Sequence, residues 1–226
     1  MKLFHKAILL GALAIAYSAT VNAGVIIGGT RVIYDGSKKE VSLSVNNPDT
    51  VPYLIQSWID TQAGGVEKAP FIITPPLYRL DQGQQNLMRI VLAGNKLPED
   101  KESLFWLNIK SIPSAPKKEN TLQVAVKTRI KLIYRPAALK KIVPEDLAGQ
   151  LTWHTVGSQV EVSNPTRVYM NFNQISLNGR ALPDVSFVAP GGTARFNLPS
   201  GISSGTLTFK IISDYGGIGE IHTTTL

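Results

Sequence analysis

The segment 122–135, LQVAVKTRIKLIYR, alternates between apolar and polar side chains over fourteen residues. Apolar residues fill most even-numbered positions and basic residues most odd-numbered ones, with Ala125, Thr128 and Ile133 off the pattern. A period of two is typical of a β-strand with one apolar face. Extended at roughly 3.3 Å per residue, this strand would measure about 45 Å, whereas a usual strand has only about 5–6 residues. A small domain has no ordinary use for a strand of this length.

The first 23 residues have the composition of a secretory signal peptide. Two lysines precede the apolar run Ala7–Ala16, and small residues occupy the −3 and −1 positions of a cleavage site after Ala23. A transmembrane anchor is the alternative, but the run is shorter than the about 20 residues that a span needs. We therefore expect residues 1–23 to be removed and the protein to be exported without a membrane anchor.

The charge of the chain after residue 23 is unevenly distributed. Residues 24–143 hold 17 basic and 10 acidic side chains, whereas residues 144–226 hold 4 and 6. An exported chain with no aromatic-basic motif is a poor candidate for binding nucleic acid, so a basic site for a carboxylate or an acidic partner fits better. The chain has no cysteine, and its stability must therefore come from packed cores rather than from disulfides.

Short alternating or aromatic-rich runs recur along the chain and predict β-strands. Turn-forming pairs such as Asp35-Gly36 and Asn178-Gly179 separate them, and many short strands at this spacing indicate β-sandwiches. Besides the long strand, the predicted strands are Val25–Tyr34, Val41–Val45, Tyr53–Asp60, Asn86–Leu92, Leu104–Ile112, Gln159–Ser163, Val168–Ile175, Ser186–Ala189, Thr193–Leu198, Thr206–Ser213 and Ile221–Thr225.

One helical-looking piece, Ala137–Lys141, is followed by Pro144 and predicts a linker. We therefore expect an all-β protein with two immunoglobulin-like β-sandwich domains, residues 24–143 and 144–226. A faint internal echo supports duplication, because VNNP at 45–48 and VSNP at 162–165 are each followed by a valine and a tyrosine.

The sequence offers little for catalysis or metal binding. His154 and His222 are the histidines left after signal cleavage, and they lack the spacing of metal ligands. The segment 114–117 matches a Ser-x-x-Lys nucleophile motif, but it lies in a Pro-bounded polar loop without the motifs that accompany it in enzymes. The glycine-rich segment 215–219 has no expected helix after it and indicates a turn rather than a phosphate-binding loop. We expect neither an enzyme nor a bound cofactor or metal.

Residues 97–114, LPEDKESLFWLNIKSIPS, resemble the signature of the periplasmic pilus (fimbrial) chaperones, the PapD-like family. Four further motifs in the family's order extend the resemblance over the whole chain after the signal: TRVIYDG at 30–36, TPP at 74–76, KLIYRPAALK at 131–140 and SDYGG at 213–217. The resemblance implies two immunoglobulin-like domains in a boomerang arrangement. Because the loop 113–120 is short, the chain is most similar to the short-loop branch.

The resemblance implies a chaperone of the Gram-negative periplasm that binds pilus subunits, prevents their aggregation and delivers them to an outer-membrane usher. A pilus subunit is an incomplete immunoglobulin fold, and the chaperone's long strand fills the groove left by the missing strand. By this resemblance Leu122, Val124 and Val126 are donated side chains, and Asn120 lines the shallow end of the groove. The alternative is that Leu122, Val124 and Val126 belong to the core of the first domain.

Two sets of charged residues also match the family. Arg31 and Lys131 match paired cations that bind the subunit's C-terminal carboxylate by charge-assisted hydrogen bonds. A second set matches a charge network that joins the two domains: Glu102, Arg135 and Asp214. Lys127 and Arg129 lie beside the first set, and the alternative that they are only solvated strand residues stays open.

A secreted immunoglobulin-like adhesin or carbohydrate-binding module is the alternative function. Such a module should place aromatic and polar residues on its end loops, whereas the loop tips here are mostly Gly, Pro, Asn and Lys. An exposed strand edge is also prone to pairing with other chains, so self-association of the free protein is a further expectation.

Overall fold

The structure is a computed structural model, and it describes residues 24–64, 68–94, 97–114 and 122–226. The proposed signal peptide and Asn120 lie outside the described residues. Nine strands of the described part form the first domain: β1 (Ile26–Ile27), β2 (Arg31–Asp35), β3 (Glu40–Asn46), β4 (Tyr53–Thr61), β5 (Phe71–Thr74), β6 (Leu77–Leu80), β7 (Gln85–Leu92), β8 (Ser103–Pro113) and β9 (Val126–Arg135). The all-β fold predicted from the sequence is confirmed.

The first domain is a sandwich of two sheets, with strand orders β1-β3-β7-β5 and β2-β9-β8-β4-β6. All pairs are antiparallel except β2 and β9, which run parallel. Alternate side chains from both sheets fill the space between them, and Val45, Met88, Leu107 and Leu132 are completely buried there.

The prediction of one strand over Val25–Tyr34 is wrong. The chain leaves the first sheet after β1 and enters the second sheet at β2. At this crossing Gly28 lies close to β3, and a Cβ atom there would displace the hydroxyl of Ser44.

The second domain is a sandwich of a three-stranded sheet, β10-β11-β15, and a sheet in the order β13-β12-β16-β17, with β14 also paired to β12. Its core is rich in aromatic rings, and the centroid of Trp153 lies 5.0 Å from that of Phe209. The strands are β10 (Thr152–Val156), β11 (Gln159–Ser163), β12 (Met170–Leu177), β13 (Arg180–Ala181), β14 (Phe187–Val188), β15 (Thr193–Asn197), β16 (Thr206–Ile211) and β17 (His222–Thr225).

Two short 3₁₀ helices, Ala137–Leu139 and Pro144–Gln150, connect the domains. The sequence predicted a helical piece only at the first of them. Leu139 and Ala148 are buried in the core of the second domain, so both turns pack against that domain. The domain boundary after residue 143 stays a prediction.

The repeated sequences at 45–48 and 162–165 form the same turn in both domains, in which a buried asparagine makes two hydrogen bonds to the backbone. Asn47 follows β3 and donates its side-chain amide to the carbonyl of Val51, while its side-chain oxygen accepts the N–H two residues ahead. Asn164 follows β11 and makes the same two bonds, to the carbonyl of Val168 and from the N–H of Thr166. Both asparagines are buried, and each fixes the turn that carries the chain toward the next long strand.

Candidate functional site

The two edges of β9 are paired over different lengths. On one side β8 pairs with β9 from Val126 to Tyr134. On the other side β2 begins only at Lys131 and continues to Arg135. Within the described residues the second side is therefore unpaired from Val126 to Ile130, and we call this stretch the open edge. Its backbone N–H and C=O groups can pair with an added strand.

The sequence prediction of a strand from Leu122 to Arg135 is too long, because β9 covers only residues 126–135 and residues 122–125 lie outside the sheet. Ile130, Leu132 and Tyr134 enter the core of the first domain. The preceding apolar side chains of the same parity are exposed instead: Leu122 by 87%, Val124 by 61% and Val126 by 55%. These three residues therefore do not form part of the core in the free protein.

Arg31 and Lys131 lie side by side where the open edge ends. They are partners in the β2–β9 register, and both are partly buried. The Lys131 ammonium donates to Oδ1 of Asn171 at 2.6 Å, and Nη1 of Arg31 donates to the carbonyl of Ile212 at 3.4 Å. Both acceptors belong to the second domain, so the cation pair, Arg31 and Lys131, faces the cleft between the domains.

Burial weakens the charged form of both cations. The pKa of Lys131 falls to about 8, mainly because of burial and secondarily because of the charge of Arg31. Burial also lowers the pKa of Arg31, against the opposing charge of Asp214. The Nε atom of Arg31 is buried without a hydrogen-bond partner among the described residues. Two partly buried cations with unused N–H donors can bind an anion by charge-assisted hydrogen bonds.

The basic side chains on the outer face of β9 rest on aromatic rings. Lys127 lies over Trp58 at 4.9 Å and Arg129 over Trp106 at 4.2 Å, measured to the ring centroid. Each contact is a cation–π interaction of about 0.5–1 kcal/mol when exposed. Lys127 and Arg129 are therefore packed against neighbouring strands rather than only solvated, and they restrain the outer face of β9.

The structure brings three charged side chains together: Glu102, Arg135 and Asp214. Arg135 Nε lies 2.6 Å from Glu102 Oε1, and its two terminal nitrogens bind the Asp214 carboxylate at 2.6 and 2.8 Å. The side chains of Arg135 and Glu102 are 5% and 1% exposed. Although burial opposes its charge, the hydrogen bonds to Asp214 and the charge of Glu102 raise the pKa of Arg135. We call these three residues the interdomain network.

Glu102 also binds the second domain directly, through its side chain and through its backbone. Its Oε2 atom accepts the backbone N–H of Tyr169 at 2.7 Å, and its N–H donates to the carbonyl of Arg167 at 2.9 Å. Burial raises the pKa of Glu102, while Arg135 and the Tyr169 N–H oppose that shift. Both oxygens of this carboxylate therefore accept a hydrogen bond, one from Arg135 and one from the backbone of the second domain.

A small apolar cluster lies beside the network. Leu104, Ile133 and Tyr169 are buried together, with Trp106 and Phe187 packed against them. Ile133 broke the alternation of the long segment, and the cluster explains why, because this position faces the second domain rather than solvent. The off-pattern residue was a usable sequence signal, whereas nothing in the sequence marked Asn171 or Phe187 as neighbours of Lys131.

The loop that carries Asp214 approaches the first domain closely. Gly216 has a φ of +86°, and a Cβ atom there would also collide with the hydroxyl of Thr30. The positive φ favours glycine, and the missing side chain leaves room for the Thr30 hydroxyl. This explains why the glycines of SDYGG accompany the aspartate that binds Arg135.

Two family models match the chain. The model described as the pili and flagellar-assembly chaperone PapD N-terminal domain matches residues 24–140, and the one described as the pili assembly chaperone PapD C-terminal domain matches residues 146–223. The probable fimbrial chaperone LpfB of Escherichia coli O157:H7 is 43% identical over 220 residues, which cover 93% of this chain and 94% of LpfB. The chaperone protein FocC of Escherichia coli is 42% identical over 219 residues, which cover 95% of each chain.

Solved structures agree with these matches. A chain of the Salmonella enterica complex between the SafA pilin and the SafB chaperone gives a TM-score of 0.84 at 36% identity, covering 92% of this chain and 99% of its own. The E. coli chaperone DraB gives a TM-score of 0.80 at 35% identity, covering 89% and 96%. In the described part of this chain, no helix has the length and apolarity needed to cross a membrane.

Replacing Arg135 by Met should lower the free energy of unfolding by about 3–5 kcal/mol, because Glu102 would stay buried without a counter-charge. Urea unfolding followed by circular dichroism measures this loss. Arg195→Met is the matched control, since its ion pair with Glu161 is exposed and should contribute less than about 1 kcal/mol. Equal small losses from both variants would contradict the structural role of the interdomain network.

Proposed function

The chain belongs to the PapD family of pilus-assembly chaperones, and on this basis we propose that it binds pilus subunits by adding to them, as a strand, the segment from Leu122 to the open edge of β9. One observation carries the proposal: an unpaired strand edge lies beside three exposed apolar side chains, Leu122, Val124 and Val126. An incomplete sandwich offers the complement, namely an unpaired backbone and pockets for alternate side chains. Asn120 is assigned to the same donor segment on the family pattern alone.

The cation pair supports one direction for the added strand. β2 runs parallel to β9 and begins at Arg31. A subunit strand that continues the line of β2, also parallel to β9, would end where Arg31 begins. Its C-terminal carboxylate would then lie between Arg31 and Lys131, whereas an antiparallel strand would place no terminal carboxylate there.

The proposed clamp and the proposed donor segment act on the same subunit strand. The carboxylate held by Arg31 and Lys131 sets the register, because a slip of one residue would turn every donated side chain away from its pocket. Leu122, Val124 and Val126 then fill the subunit's apolar groove. The exposed apolar surface of both partners is covered, which keeps the subunit soluble.

The proposed role is non-enzymatic and periplasmic. After export directed by residues 1–23, the chaperone captures a subunit, holds it and delivers it to an outer-membrane usher, where another subunit's extension replaces the donated strand. Assignment to the short-loop branch stays a prediction, because residues 115–121 lie outside the described residues.

Val124→Glu should abolish the complex with a pilus subunit co-expressed in the periplasm, because the charge would enter an apolar pocket at a cost of several kcal/mol. The melting temperature of the free variant should stay near that of the parent, since Val124 is 61% exposed and surface changes usually cost less than about 0.5 kcal/mol. Co-purification and thermal melting test both statements.

Val162→Glu is the matched control, because Val162 is fully buried in the second domain and this variant should fail to fold. If Val124→Glu collapsed like the control, Val124 would belong to a core and the donor assignment would be wrong. If it melted normally and still retained the subunit, the subunit would bind elsewhere.

Subunit binding should weaken as the pH rises through about 8, because Lys131 loses its proton there and a neutral amine holds a carboxylate poorly. The affinity should fall by up to about tenfold per pH unit above that point. The unfolding free energy of the free protein should change in the opposite direction. Since the pKa of Lys131 is lowered in the fold, the unfolded chain binds more protons from about pH 8 upward to its ordinary value, so this group's contribution to stability rises with pH.

Lys131→Arg is the control for this pH dependence. Arginine stays charged at these pH values, so the variant should bind less tightly but with a flat profile between pH 7 and about 9. Titration of complex formation by size-exclusion chromatography measures both profiles. Parallel pH profiles for the parent and the variant would remove Lys131 from the clamp.

A further inference from the structure

We propose that Asn171 of the second domain positions Lys131 for the subunit's carboxylate and, being uncharged, leaves the ammonium charge available to it. This inference rests on the proposed function and adds a residue that determines which ligand the cation pair can accept.

The contact between Lys131 and Asn171 is short, and Asn171 is held in place by its burial and by its backbone bonds. Nζ of Lys131 lies 2.6 Å from Oδ1 of Asn171, and the asparagine is only 4% exposed. The backbone of Asn171 is held as well, because its carbonyl accepts the N–H of Ile212 at 2.7 Å and the residue pairs with Phe187 across β12 and β14. The amide therefore has one defined position from which to orient the ammonium.

The same region of the second domain also holds the other cation. The carbonyl of Ile212 accepts Nη1 of Arg31, and its N–H binds Asn171. Arg31, Ile212, Asn171 and Lys131 thus form a continuous chain of hydrogen bonds. A displacement of this part of the second domain would move both cations together, so the second domain takes part in setting the geometry of the clamp.

An aromatic ring also contacts the ammonium of Lys131, which lies 4.5 Å from the ring centroid of Phe187. On the neighbouring strand β8, Trp106 is the register partner of Lys131. The charged group that acts on Lys131 is Arg31, which repels it. An ammonium has three donors, and the bond to Asn171 uses one of them. Among the described residues the other two donors have no hydrogen-bond partner, so they can bind a carboxylate that arrives along the open edge.

The neutrality of Asn171 is what keeps the site selective for an incoming anion. An aspartate of nearly the same shape would form an internal ion pair with Lys131 and offset the charges of the cation pair. The subunit's terminal carboxylate would then lie close to the aspartate carboxylate at position 171. Two negative charges that are close together in a half-buried site repel each other strongly. An amide orients the ammonium without this competition.

The test is Asn171→Asp, compared with Asn173→Asp two residues along the same strand. Asn173 is exposed, so its variant adds the same charge at a solvated position. We expect Asn171→Asp to fold and to bind a co-expressed pilus subunit at least tenfold more weakly, and Asn173→Asp to bind within about twofold of the parent. The pKa of the Lys131 ammonium, followed by side-chain NMR, should rise above about 8 only in Asn171→Asp.

Unchanged subunit binding by Asn171→Asp, an equal loss in both variants, or an unshifted Lys131 pKa would each overturn the proposal. If Asn171→Asp does not fold, Asn171→Ala decides: we expect a several-fold loss of affinity with a folded chain, and normal affinity would overturn the proposal. Failure of the proposed function looks different, because the parent protein itself would then form no complex with the subunit.

Discussion

The position of the second domain relative to β9 depends on one buried guanidinium. Arg135 ends β9 and is bound by Glu102 from the first domain and by both oxygens of Asp214 from the second. A buried ion pair adds little net stability over an apolar replacement of the same shape, yet removing one partner is costly. We therefore interpret the network as a device that specifies one arrangement of the domains. The contact between Lys131 and Asn171 is made in that arrangement.

A single strand serves three purposes along its length. Its C-terminal end anchors the domains through Arg135, its middle places Ile130 and Leu132 in the core, and its N-terminal end leaves Val126 and the open edge exposed. Proteins usually protect such an edge, because it invites pairing with other chains. The open edge of β9 is left unprotected at the place where we propose that the subunit binds. Functional sites often break a rule that otherwise favours a stable fold.

The alternation of residues 122–135 predicted the two faces of β9, and the turn-forming residue pairs predicted that the fold consists of many short strands. Four strands were missed. β5 and β6 are only four residues long and flank Pro75-Pro76, which interrupts any periodic pattern, and β10 and β13 were also absent from the predicted strands. The assignments of Arg31 and Lys131 came from family resemblance, since nothing local separates them from other strand cations. Asn171 and the carbonyl of Ile212 could not be predicted, because they meet the cations only through the packing of two domains distant in sequence.

Backbone hydrogen exchange over residues 122–130 tests the central claim most directly, because it reports on strand addition itself rather than on its consequences. In the free protein, Leu122, Val124 and Ala125 are exposed and lie outside the sheet, so their amides should exchange rapidly. In a purified one-to-one complex with a pilus subunit, the amides from residue 122 to the end of the open edge should become strongly protected. An intact complex in which this segment exchanges as fast as in the free chain would contradict strand donation by β9.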